Sequence, residues 1–295
     1  MVNVQAVHSP KQNGFVTSDG ASLYYEVHGA SDSSATRRIT LVSGVSQSCR
    51  MWGITLSYLL TDACVQVLVM DNRGVGDSSQ SKDALQGLTM HQMGADLVAV
   101  LEHLRWTHHP TIPLSILGFS MGGMVALQAV NQLPAHACQS LVLVNTSAGG
   151  LWNLMPQFFS MLKAVGWIVV MMMKAALGWS TLKPGEDKIY VAERGIGKTK
   201  QTSSGRKAQM HAVSTHQLLP SDLYRIGMKT DVFVVSGLQD SMVRPSNSRY
   251  LAQHIPNSKT VTFENAGHAV FEQEHKLFHQ FLQRQVLQYH LVQSD

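Results

Sequence analysis

Gly118-Phe119-Ser120-Met121-Gly122 places a serine between two glycines, with the apolar run LSILGF leading in and the helical pattern GGMVALQAV leading out. A serine hydroxyl is a weak nucleophile at neutral pH and attacks a carbonyl only when a nearby base takes its proton. The flanking glycines permit a cramped strand-to-helix turn that lifts the Ser120 hydroxyl clear of a sheet. There it meets the free N–H groups and positive dipole end of a helix N-terminus. Five residues of this pattern also occur as an ordinary glycine turn, so the strand before and the helix after are what favour the catalytic reading. Met121 would then offer one backbone N–H to an oxyanion.

The chain has 14 histidines, and one must serve as base. His268, in ENAGHAVFE, follows the last strand-like run, so its loop leaves the carboxyl edge of a sheet, where open α/β folds place their sites. His254, His275 and His279 fall on helical patterns; His8, His108 and His109 lie in terminal or loop segments. The orienting acid is expected between nucleophile and base in chain order. Asp240 follows the strand DVFVVSG and reaches the same edge, whereas Asp231 opens that strand and belongs to the opposite edge as a structural residue. A turn aspartate is the competing reading of Asp240. A second oxyanion donor is expected from Val45, because Gly44 in LVSGVSQSCRMW lets the chain turn the next amide inward.

Seven strand-like runs must carry these residues: SLYYEV, RITLVSG, VQVLVMD, LSILGFS, SLVLVNT, DVFVVSG and KTVTFEN. Several are continuous in Val, Ile and Leu, as buried parallel strands are. Helical patterns such as MHQMGADLVAVLEHL and GGMVALQAVNQL alternate with them, which is the rhythm of a doubly wound sheet. The rhythm breaks between about Ala148 and Tyr224, where no convincing strand occurs. The expected organisation is a first core part over 1–147, an inserted helical cap or lid over 148–224, and a second core part over 225–295.

The Gly44 turn, VMDNRGVGDS over Val69 to Ser78, the GFSMGG elbow, SGLQDSMVRP and AGHAVFEQE together resemble the α/β-hydrolase superfamily, in particular its small fold-1 esterases, lactonases and S33-type peptidases. The resemblance covers nearly the whole chain. It implies an α/β-hydrolase fold, a mostly parallel doubly wound sheet with an inserted cap, and a cofactor-free, metal-free serine hydrolase. It also implies that Arg73 and the glycines of DNRGVG shape a loop beside the site. The family usually has His-Gly where this chain has Ser43-Gly44, a change that leaves the Val45 amide available.

Substrate contacts are expected from Phe119 and Trp52 beside the two turns and from Phe158 and Leu162 in the cap. Leu151, Leu154, Met155, Phe158, Leu162, Val165 and Val169 recur at spacings of three and four, and Trp167, Ile168 and Val170 make the opposite face apolar too. A helix apolar nearly all round is buried, lines a hydrophobic tunnel or touches lipid. The 15 methionines would suit a deformable acyl pocket. A small-molecule ester or lipid substrate is therefore the leading expectation, with peripheral lipid contact through the cap as a further one.

The bulk properties exclude other classes. A net charge of +4 with no long Lys/Arg block disfavours nucleic acid as a partner. The uncharged run between Lys163 and Lys174 is well short of the ~18 residues of a membrane span. ERGIGKTKQTSSGRKAQ has Ala192 where a phosphate-binding loop needs its first glycine. Cys49, Cys64 and Cys138 are widely spaced and read as thiols in a reducing compartment, and the first residues lack an export signal, so a cytoplasmic location is expected. Two alternatives stand beside the esterase: an S33-type aminopeptidase, drawing on Glu186, Asp187 and Glu193 for a substrate amine, and a non-catalytic binding protein on the same fold.

Overall fold

A computed structural model of the protein describes residues 9–108, 111–150 and 199–287. Eight strands form one sheet in the order β1-β2-β4-β3-β5-β6-β7-β8. They are β1 Gln12–Ser18, β2 Ala21–Gly29, β3 Arg37–Val42, β4 Val65–Met70, β5 Leu114–Phe119, β6 Ser140–Val144, β7 Asp231–Gly237 and β8 Lys259–Phe263. β1–β2 and β2–β4 are antiparallel; every pair from β4–β3 to β7–β8 is parallel. All seven runs read from the sequence are strands. The eighth, β1, carried a signal of its own: Asp19-Gly20 closes a two-residue hairpin with φ of 43° and 73°, the positive values such a turn demands.

The central strands alternate between two apolar layers, because side chains of period two face opposite sides of a sheet. Leu68, Ile116, Leu141 and Val234 face one layer, while Val67, Val69, Leu117, Val142 and Val235 face the other. Helices α2 Met90–His103 and α3 Met121–Gln132 fill the first layer. Helix α1 Gly53–Leu59 and the C-terminal segment with α7 His275–Phe281 fill the second. Thr89 caps α2 by accepting the Gln92 N–H at 3.1 Å.

Helices α4 Ser203–Thr215, α5 Pro220–Lys229 and α6 Pro245–His254 complete the described helices used below. The sequence boundary at 224/225 falls inside α5, and Leu223 and Ile226 of that helix are buried in the first layer. α5 therefore packs on the first layer through Leu223 and Ile226, on both sides of that boundary. The reason is its amphipathic pattern, which presents those two residues to α3. Most of the expected cap, including Phe158, Leu162, Glu186, Asp187 and Glu193, lies outside the described residues. No helix among the described residues is long and apolar enough to cross a membrane.

Candidate active site

Ser120 follows β5 directly and caps α3 with φ 54° and ψ −122°, a left-handed backbone that costs a residue with a Cβ about 1–3 kcal/mol. The surrounding glycines make it attainable. A Cβ on Gly118 would collide with Gly122 O, one on Gly122 with Val42 O, and one on Gly123 would lie 2.5 Å from the Thr146 Cβ. The elbow is also bonded in place: Ser120 N–H donates to Val144 O at 3.0 Å, and Thr146 Oγ1 donates to Ser120 O at 2.7 Å. Met121 opens α3, so its N–H belongs to a first turn that has no carbonyl partner within the helix.

His268 and Asp240 leave neighbouring strands at the same edge and meet. His268 Nδ1 lies 2.7 Å from Asp240 Oδ2, with both side chains buried. A carboxylate offers only lone pairs, so Nδ1 carries the proton and Nε2 is left free to accept one. Asp240 Oδ1 accepts the Met242 and Val243 N–H groups at 2.7 and 2.9 Å, which fixes the carboxylate plane. The two loops approach so closely that a Cβ on Gly237 would collide with Gly267 O. Asp231 opens β7 at the other edge, paired with Ser140.

Phe119 links this pair to the serine. Its ring lies 4.7 Å from the His268 ring and 4.9 Å from Phe271, one residue before Ser120. Phe119 and Trp52, expected as substrate contacts, are buried, 1% and 0% exposed. Trp52 packs on Phe271 at 5.0 Å and donates its indole N–H to Ser43 Oγ at 3.0 Å. Each buries its ring under the site because the apolar layer below the histidine has to be filled. Phe158 and Leu162 lie outside the described residues.

Val45 stands in a turn closed by Gln47 N–H to Gly44 O at 3.3 Å, with Ser46 at φ 60°. Among the described residues its own N–H has no protein acceptor. Ser43, in place of the usual histidine, is held from two sides: it receives Trp52 at its hydroxyl and Asn72 Nδ2 at its carbonyl, 2.9 Å away. Asp71 Oδ1 accepts the Cys49 N–H at 2.7 Å and Oδ2 the Asp77 N–H at 2.8 Å. Burial raises the Asp71 carboxyl, opposed by these backbone bonds. Burial also pushes the Cys49 thiol well up and that of Cys138 to about 12, so neither is poised as a nucleophile.

Arg73 has the structural role expected of it. Its Nε and Nη2 grip Asp96 at 2.9 and 2.6 Å, and it donates to Ser18 O and Ala84 O at 2.9 and 3.1 Å. Burial raises the Asp96 carboxyl, and Arg73 works against that rise.

Asn145 escaped the sequence reading. Its Oδ1 accepts the Gly237 N–H at 2.9 Å, and its Nδ2 donates to Gly267 O at 3.0 Å and to His268 O. Its position just past a strand and its tolerance of positive φ, here 45°, were the only signals. Asn145 thereby spans the acid and histidine loops.

The profile of the alpha/beta hydrolase fold family matches residues 38–275. RutD of Pseudomonas savastanoi pv. phaseolicola (strain 1448A / Race 6), whose name marks it provisionally as a carbamate hydrolase, is 25% identical over 266 residues, covering 84% of this chain and 92% of RutD. The rhodomycin D methylesterase DauP of Streptomyces sp. (strain C5) is 23% identical over 280 residues, 86% of this chain and 91% of DauP. The esterase EaEST from Exiguobacterium antarcticum superposes with a TM-score of 0.74 at 18% identity, covering 92% of this chain and 98% of its own. The chain belongs to the alpha/beta hydrolase fold family, and its relatives are hydrolases.

Proposed function

We propose that the protein is a serine hydrolase of carboxylic esters, with Ser120 as nucleophile, His268 as general base and Asp240 as the acid that orients it. The observation that carries this reading is the 2.7 Å contact between His268 Nδ1 and Asp240 Oδ2 at the edge where Ser120 stands. In the proposed reaction Ser120 Oγ attacks the ester carbonyl carbon while His268 Nε2 takes the hydroxyl proton. Asp240 stabilises the imidazolium that results. The N–H groups of Met121 and Val45 receive the oxyanion. Collapse of the tetrahedral species breaks the bond to the leaving alcohol, which departs with the proton from His268. Water, deprotonated by the same Nε2, then attacks the acyl-enzyme and releases the acid and free Ser120.

Ester specificity is favoured by the company the chain keeps: DauP is named a methylesterase and EaEST an esterase. A lipophilic acyl group is favoured by the apolar, methionine-rich sequence between Leu151 and Ala176. Hydrolysis of p-nitrophenyl esters from acetate to palmitate tests both parts. Turnover that rises with acyl length and disappears in Ser120→Ala is expected. Equal rates along the series would contradict the lipophilic substrate, and full activity in Ser120→Ala would contradict the nucleophile.

A further inference from the structure

Three consecutive residues of the turn after β4 reach the loop that carries Val45, each at a different point. Asp71 holds Cys49, Asn72 holds Ser43, and Arg73 O receives the Gln209 Nε2–H at 2.9 Å. Gln209 completes the third tether, because its Oε1 accepts the Ser46 N–H at 2.9 Å. Its side chain has no exposed surface, and it arrives from α4, 163 residues further along the chain. Gln201 Nε2 steadies the arrangement by donating to the same Oε1 and to Gly74 O, both at 3.1 Å.

Ser46 depends on this tether. It occupies the third position of the Gly44–Gln47 turn with φ 60°, a position that favours Gly or Asn. A side chain there costs about 1–2 kcal/mol. Rotating the Val45–Ser46 peptide into the commoner turn removes that cost but points the Ser46 N–H away from Gln209. The Ser46 N–H then loses its acceptor and the buried Oε1 keeps only Gln201 Nε2, a net loss of about 0.5–1.5 kcal/mol. The strain at Ser46 favours the rotation and the bond to Gln209 opposes it, so the turn's own sequence does not hold the peptide in the observed orientation.

We infer that Gln209 is a positioning residue for the candidate oxyanion hole: by holding the Ser46 N–H it pins the Gly44–Gln47 turn that carries Val45, and so keeps the Val45 N–H directed at the centre where Ser120 reacts. This rests on the reading of Ser120 as nucleophile. Gln209 touches no reacting atom; its effect passes through Ser46 to Val45 and is felt only when charge develops on the carbonyl oxygen.

The test compares wild type with Gln209→Met, which keeps the length of the side chain and removes its bonds to Ser46, Arg73 and Gln201, and with Gln209→Glu, which keeps the acceptor for Ser46 and Gln201 but loses the donor to Arg73 O. Three quantities are read: kcat, KM for a p-nitrophenyl ester, and the inhibition constant of an alkyl boronic acid, whose tetrahedral adduct with Ser120 places an oxygen in the hole. For Gln209→Met, kcat is expected to fall about 10- to 100-fold, less than the loss of a whole oxyanion donor, with KM changed by under about 3-fold. The boronate constant should rise by the factor that kcat/KM falls. Adding Ser46→Gly, which is at ease with positive φ, should restore much of the lost kcat. If Gln209→Met does not fold, Gln209→Glu should show the same parallel change at smaller size. Unchanged kcat in a folded variant, or a lost kcat with an unchanged boronate constant and no rescue by Ser46→Gly, overturns the inference. Wild type that a fluorophosphonate fails to label overturns the Ser120 reading as well, so the two failures are told apart.

Discussion

His268 and Asp240 are joined twice: by their 2.7 Å side-chain contact, and through Asn145, which binds the backbone at Gly237 on one side and at His268 on the other. The direct contact sets the tautomer and the indirect one sets the spacing of the loops. Asp240→Asn preserves the shape of the acid but can donate where a carboxylate only accepts, so Nδ1 no longer holds the proton. We expect kcat to fall about 10⁴-fold, with KM little changed, by steady-state ester hydrolysis. Asn145→Ala leaves the Gly237 N–H and two carbonyls unpaired in the interior, and urea titration should show a loss of roughly 2–4 kcal/mol.

The elbow glycines give a second expectation. Gly122→Ala drives a Cβ into Val42 O, a backbone atom that cannot move aside without displacing β3. Labelling of Ser120 by a fluorophosphonate should vanish and the melting temperature should drop. Gly87, at positive φ but with nothing within 4 Å of an added Cβ, is the control: Gly87→Ala should cost only about 1 kcal/mol and leave labelling intact.

Much of this architecture was legible because the sheet is buried on both faces. Its parallel strands read as continuous apolar runs, and Ser120, Asp240 and His268 each follow one of them. What escaped had a physical reason. β1 is half exposed, so its pattern QNGFVTS is mostly polar. The bonds of Asn145 and Gln209 go to backbone groups far along the chain, and no local spacing announces such a partner.

Arg73 and Asp96 form an ion pair that is almost wholly out of water. Removing one partner strands the other charge, so Asp96→Ala should lower unfolding free energy by about 3–5 kcal/mol. The double change Arg73→Met with Asp96→Leu should cost less than either single change, since no charge is left uncompensated. Denaturant titration of the three variants checks this.

Acid should destabilise the protein through two histidines. Burial lowers both His216 and His279 to about 4 from 6.5. His279 is held neutral in the fold, with Nδ1 donating to His275 O, Nε2 accepting from Thr55 Oγ1 at 3.2 Å, and its ring stacked on Tyr58. A depressed histidine binds its proton more readily in the unfolded chain, so stability is fully present above pH 6.5 and is lost as pH falls toward 4. Each contributes on the order of 3 kcal/mol across that window. His279→Gln should be less stable than wild type at pH 7.5 and show a shallower decline between pH 6.5 and 4, measured by urea midpoints at fixed ionic strength.

The central claim is that Ser120 is made nucleophilic by His268 and Asp240. The most direct measurement is intact-mass and peptide-mapping spectrometry of wild type, Ser120→Ala and His268→Ala after exposure to a fluorophosphonate. A single adduct on the peptide carrying Ser120, absent in Ser120→Ala and strongly slowed in His268→Ala, is the expected result. An adduct on another residue, or folded wild type that takes none, would contradict the account.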